Sequence, residues 1–156
     1  MRTNEEIVER CNNYPGWICK FDLIERLPFD VAKQFLTEDA LADAENDWRE
    51  KPTPNTREAI LERMRDYMPF ALGKAEDHRG LSANRSIEHY HNWLWLLGDD
   101  KTLAFAEDDD NYPQYGVPIL KHVCEVYGFQ FPENACLARM ADGEPCDPDC
   151  DDGCGS

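Results

Sequence analysis

Apolar side chains along this chain recur at three- and four-residue spacing in segment after segment, the period of an amphipathic helix. Asn4 to Cys11 forms the first such segment, with Thr3 and Glu6 spaced as a capping box at its start. The "NNYPG" stretch, Asn12 to Gly16, breaks it. Trp17, Phe21, Ile24 and Leu27 then fall on one stripe, and Pro28 begins a new element. From Phe29 to Glu50 the stripe is Val31, Ala32, Phe35, Leu36, Ala40, Leu41, Ala44 and Trp48, with a restart at Thr37. "KPTPN", Lys51 to Asn55, is the clearest internal breaker.

Beyond it, Ile60, Leu61, Met64, Tyr67 and Met68 predict a helix over 56–68, and Pro69 is expected to end it before a short helical turn to His78. Arg85 to Leu97 is the most apolar helix. Ile87, Tyr90, His91, Leu94 and Leu97 share one face, and Trp93, Trp95 and Leu96 cover most of the rest, so it belongs at the centre of the fold. Gly98 suits the position just past its end. A short helix over 101–107 and a last one from Pro118 to Tyr127, stopped by Gly128, complete the pattern. No segment alternates with the two-residue period of a strand. The fold class expected is therefore all-α: one globular domain of six or seven short helices over residues 1–131. Past Pro132 the periodicity fades, and residues 132–156 read as a flexible, disordered acidic tail containing cysteines.

Charge changes this picture by singling out one end. Residues 1–98 hold 18 acids and 13 bases, a net of −5, whereas residues 99–156 hold 14 acids and 3 bases, a net of −11. Such a field repels nucleic acid and anionic membrane and favours basic partners. It also serves solubility or adaptation to high salt. The N-terminus "MRTNEEIVERC" has charges where a signal peptide needs an apolar run, and no apolar run is long enough to span a membrane. A cytoplasmic protein is expected, with its seven cysteines as thiols or metal ligands. Cys11, Cys19 and Cys124 sit at helical apolar positions and read as packed core thiols.

Candidate chemistry is sparse. There is no Gly-x-Ser-x-Gly turn, no P-loop and no dinucleotide fingerprint, and an enzyme is not expected. In "EHYH", His89 and His91 lie on opposite sides of a helix and cannot share a metal; both read as core histidines with hydrogen-bonded rings. The tail offers Cys136, Cys146, Cys150 and Cys154, four sulfurs with zinc-like spacing in the last three. Asp147, Asp149, Asp151 and Asp152 crowd them and disfavour the thiolates zinc requires. Zinc is accordingly a cofactor to test, with none as the default. Arg57, Arg63 and Arg65 on one helix offer a third reading, a local nucleic-acid contact against the sign of the whole protein.

The loop "DDDNYPQYGVP" draws most attention. Asp108, Asp109 and Asp110 precede Tyr112 and Tyr115, which flank Pro113 in a segment stiffened by Gly116 and Pro118. A rigid loop bearing tyrosines loses little entropy on contact, and the acids add steering. These five residues are the expected partner-binding set, unless the tyrosines fold back to seal the core. Residues 82–129, through "NRSIE", "WLWLLGDD", "NYPQYG" and "PIL", resemble a segment of small uncharacterised proteins of prophages and other mobile elements. The resemblance implies no activity and no catalytic residues. Taken together, the sequence predicts a non-enzymatic acidic interaction protein. It would block the basic nucleic-acid-binding surface of a host or phage protein, such as a defence nuclease, without binding nucleic acid itself. The alternative is a small zinc-binding regulatory module.

Overall fold

The computed structural model describes residues 1–13, 20–51, 54–77 and 81–144. Among these, the elements are nine α-helices and three short 3-10 turns, with no strand: α1 (Asn4–Asn13), α2 (Phe21–Ile24), α3 (Phe29–Ala32), α4 (Glu38–Glu50), α5 (Arg57–Glu76), α6 (Leu81–Leu97), α7 (Asp100–Glu107), α8 (Val117–Tyr127) and α9 (Ala135–Ala141). The described residues are all-helical, as expected, with nine helices among them where six or seven were expected.

Local chemistry sets most of the boundaries. The Glu6 amide donates to Thr3 Oγ1 at 3.2 Å and the Thr3 amide to Glu6 Oε1 at 3.1 Å, the reciprocal box anticipated at the start of α1. Thr37 and Thr56 accept from the amides of Ala40 and Ala59 and so cap α4 and α5. At the end of α6 the Gly98 amide donates to the Trp95 carbonyl and the Asp99 amide to the Leu94 carbonyl, with Gly98 at φ 77°. That paired return requires the left-handed backbone that glycine adopts without cost.

The expected break at Pro69 is corrected: α5 runs unbroken through it. Pro69 removes one amide from the ladder and crowds the Arg65 carbonyl, at about 3 kcal/mol in a helix interior. It sits on the exposed face, as does Arg65 one turn before it. On the opposite face Met64, Met68, Ala71, Leu72 and Ala75 form one buried stripe across the proline. Burying a side chain the size of Met or Leu contributes roughly 1.5–3 kcal/mol, so the stripe outweighs the break.

Helix α6 is the centre, packed against α5, α7 and α2, while α8 lies against α5, α7 and α9. Ile87, Tyr90, Leu94 and Leu96 are wholly buried. The Tyr90 hydroxyl donates to the Met64 carbonyl at 2.7 Å, which satisfies the polar end of the largest fully buried side chain. The N-terminus straps the end of this helix: the Arg2 amide donates to the Leu96 carbonyl and Arg2 Nε to the Trp95 carbonyl. The guanidinium thereby meets the negative end of the α6 dipole.

A second correction concerns the tail. Residues 135–141, expected to be disordered, form α9, with Cys136, Leu137 and Met140 buried. Asn134 caps it by accepting from the amides of Cys136 and Leu137. Three apolar residues on one face of a two-turn helix are too few for a periodicity signal, yet they suffice once α5 and α8 provide a surface. Residues 145–156, the rest of the expected tail, lie outside the described residues. No helix among the described residues is long and apolar enough to cross a membrane.

Candidate functional site

The loop between α7 and α8 is tightly shaped. Asp108 Oδ1 accepts from the Asp110 amide at 3.0 Å, and Asn111 Nδ2 donates to the Phe105 carbonyl at 3.0 Å, so the acidic run closes on the end of α7. Gln114 and Tyr115 both have positive φ, 54° and 59°, and Gly116 follows at 79°. A non-glycine residue held there costs on the order of 1–2 kcal/mol, and two in succession mark a segment whose shape is imposed by its surroundings. A Cβ built on Gly116 would lie 2.7 Å from Cδ1 and Cγ1 of Ile87, so the backbone here is pressed against α6.

This shape distributes the five expected partner-binding residues unevenly. Asp108, Asp109 and Asp110 are exposed; Tyr112 and Tyr115 are half-buried and pack against the core. The Tyr112 hydroxyl donates to Asn84 Oδ1 at 3.3 Å, and burial, followed by the charge of Glu88, pushes its ionisation up. Tyr112 therefore braces the loop on α6, Tyr115 packs against the core, and the carboxylates face solvent.

The acidic run also borders a cleft of about 370 Å³ that sequence reading did not assemble. Asp110, Asn111 and Pro113 form one wall, Lys121, His122 and Glu125 of α8 another, and Asp142 and Gly143 after α9 the third, over a floor that includes Phe105. His122 stacks on Phe105, with ring centroids 4.0 Å apart and planes 26° apart. Three carboxylates, those of Asp110, Glu125 and Asp142, face one ammonium, that of Lys121, which stands 4.0 Å from Glu125. Among the described residues no ion pair engages Asp108, Asp109, Asp110 or Asp142. A cation entering the cleft meets unpaired carboxylates above a flat aromatic floor, a setting that suits an arginine or lysine side chain.

The zinc expectation is corrected. Among the described residues no group of three or more His, Cys, Asp or Glu side chains is placed to hold a metal ion. Cys136 is fully buried and disulfide-bonded, and a half-cystine has no thiolate to give a metal. Cys146, Cys150 and Cys154 lie outside the described residues. Cys11 and Cys124 are buried free thiols. Burial raises the Cys124 thiol to about 11, so it stays neutral and packs as an apolar group.

The remaining sequence candidates are tied into the structure. His91 Nε2 lies 3.0 Å from the Ala106 carbonyl, which pins α6 to α7. His89 Nδ1 lies 2.5 Å from Asp22 Oδ2, which also accepts from Asn92 Nδ2 at 3.2 Å. The His89 ring stacks on Trp93 and meets Tyr67 edge-on. This carboxylate-held imidazole joins α2 to α6 and was invisible in the sequence, where its partners stand 67 residues apart. The arginines of α5 have acidic neighbours: Arg63 is 3.6 Å from Glu25 and Arg65 is 3.3 Å from Asp66. Arg57 acts electrostatically on Asp99. Their charge is compensated locally, which weighs against a nucleic-acid contact there.

No family model, no curated protein and no solved structure matches this chain. The functional reading therefore stands on the chain's own geometry.

Proposed function

We propose that this chain is a non-enzymatic interaction protein whose α7–α8 loop and adjoining cleft dock on a basic surface of a host or phage protein, in the place of nucleic acid. The observation that carries the reading is the set of four unpaired, exposed carboxylates, Asp108, Asp109, Asp110 and Asp142, beside a cleft with an aromatic floor. The fixed backbone of 113–116 supports it, because a braced loop presents its charges without an ordering cost on binding. The −11 balance of residues 99–156 (14 acids, 3 bases) supplies long-range attraction to a cationic groove. A partner that grips DNA or RNA through its phosphates has the complementary field.

The test begins with native mass spectrometry of the protein isolated from its own host, which reports a bound protein by mass. Affinity for that protein is then measured through a salt series, for the natural chain and for Asp108→Lys/Asp109→Lys/Asp110→Lys. Binding that weakens with salt and collapses on charge reversal supports the reading. Binding that survives reversal with the same salt dependence removes this surface from the interface.

A further inference from the structure

Phe21 opens α2 with 51 % of its surface in solvent, an unusual exposure for a large apolar side chain. Its ring meets Trp48 of α4 edge-on, with centroids 5.9 Å apart and planes 77° apart. Trp48 is half-buried and held in place: its Nε1–H donates to the Leu27 carbonyl at 2.8 Å, and Phe29 meets it from another edge at 5.9 Å. The two rings make an open aromatic corner rather than a sealed contact.

This corner walls a cleft of about 290 Å³ that shares no residue with the acidic one, and its remaining lining is four charged side chains, Glu25, Asp47, Lys51 and Arg63. All four reach solvent. Asp47 and Lys51 are exposed, and the side chains of Arg63 and Glu25 are 49 % and 17 % exposed. Among the described residues neither Asp47 nor Lys51 stands in an ion pair. Glu25 Oε1 lies 3.6 Å from Arg63 and 3.9 Å from Arg26, so one carboxylate faces two guanidiniums and leaves Arg63 with donors to spare. Asp47, Trp48 and Lys51 also stand at the C-terminal end of α4, where the helix dipole is negative and favours an ammonium. A concave aromatic corner ringed by two acids and two bases matches a small ligand that carries both signs beside an apolar group.

We propose that this cleft binds a free α-amino acid with an apolar side chain. The ammonium lies by Asp47 at the end of α4, the carboxylate lies by Lys51 and Arg63, and the side chain rests in the corner of Phe21 and Trp48. A purely cationic ligand is repelled by Lys51 and Arg63, and a purely anionic one by Asp47 and Glu25, so the zwitterion fits better than either half of it. The volume stands at the lower end of ligand pockets, the scale of an amino acid rather than of a nucleotide cofactor.

The experiment titrates L-phenylalanine, phenylacetate, 2-phenylethylamine and L-alanine into the full chain, read by amide and indole shifts in nitrogen-15 NMR. L-Phenylalanine is expected to move the Trp48 signals saturably, about fivefold more tightly than either half-molecule, which loses one partly exposed charge pair. L-Alanine keeps both charges but lacks the ring, and is expected to bind at least about tenfold more weakly. Phe21→Ala changes an exposed side chain and is expected to weaken L-phenylalanine about tenfold. Lys51→Ala is expected to erase the preference over 2-phenylethylamine, and Asp47→Asn the preference over phenylacetate; these two exposed positions carry the test if Phe21→Ala does not fold. No saturable shift up to about 50 mM L-phenylalanine, a half-molecule bound as tightly as the amino acid, or affinities unchanged in the variants that fold, would each overturn the assignment.

Discussion

Gly116→Ala probes the link between the core and the acidic loop. Two costs add at this position. The backbone stands at φ 79°, where an alanine is strained by about 1–2 kcal/mol. The new Cβ would also meet Cδ1 and Cγ1 of Ile87 at 2.7 Å, and Ile87 is wholly buried, so it has no free space to retreat into. Overpacking of this kind costs typically about 1–3 kcal/mol. The sum, about 2–5 kcal/mol, is a large part of the stability of an ordinary domain. Urea unfolding followed by tryptophan fluorescence measures it. The double-mutant cycle with Ile87→Ala divides the two costs: removing both contact atoms relieves the steric part and leaves the backbone part. Gly116→Ala is therefore expected to cost about 1–3 kcal/mol less in the Ile87→Ala background. A loss under about 0.5 kcal/mol for Gly116→Ala alone, or a cycle with no coupling, would refute the reasoning that α6 sets the loop's shape.

Other outcomes follow from the same structure. Asp99 accepts from the Thr102 amide at 3.1 Å and from the Tyr127 hydroxyl at 2.5 Å. Burial alone would raise its carboxyl, but the hydrogen bonds from Thr102 and Tyr127 and the charge of Arg57 outweigh it and hold it below its ordinary value. Asp99→Ala is expected to destabilise by about 2–3 kcal/mol at pH 7, combining a lost cap and a lost charge-assisted hydrogen bond. A depressed carboxyl stabilises above its unfolded value near 4 and loses that contribution as pH falls through the folded one, so the gap between Asp99→Ala and the natural chain should narrow in acid. Tyr90→Phe leaves the Met64 carbonyl without its 2.7 Å side-chain donor and should cost about 1–2 kcal/mol by chemical denaturation. Pro69→Ala restores an amide to α5 on its exposed face and should raise stability by about 2 kcal/mol, the proline's cost of about 3 less the roughly 1 it saves by stiffening the unfolded chain; a destabilised variant would mean the proline shapes the helix.

What the chain discloses by itself is its local chemistry. The capping box at Thr3 and Glu6, the restart at Thr37 and the glycines after α6 and α8 each depend on residues within one turn of one another, and each appears where the pattern puts it. The character of α6 was equally plain, because Trp93, Trp95 and Leu96 beside the apolar face leave the helix nowhere to go but inside. Pro69 misled because its cost is intrinsic, whereas the stripe that overrides it is repaid only by packing against α6 and α8. Residues 135–141 misled for the same reason in reverse: weak on their own, they fold on a surface made by distant segments. The sites are less legible still. Asp108, Asp109 and Asp110 were visible as a run, but Glu125 and Asp142 join them only through the α8–α9 packing. Tyr112 and Tyr115 looked like contact residues, and the positive φ values that turn the loop inward leave no mark in composition.

Competition for a basic partner discriminates most sharply. The protein that accompanies this chain in its host would be loaded with labelled duplex DNA or RNA, and the chain titrated in at moderate salt. Release of the nucleic acid with one-to-one stoichiometry is expected. Asp108→Lys/Asp109→Lys/Asp110→Lys is expected to need about 100-fold more protein for the same release, the sum of three lost rim attractions and the repulsions that replace them. Nucleic acid that stays bound while the chain binds elsewhere on the partner, or release that is unchanged by the triple reversal, would contradict occupation of a nucleic-acid groove by the acidic loop.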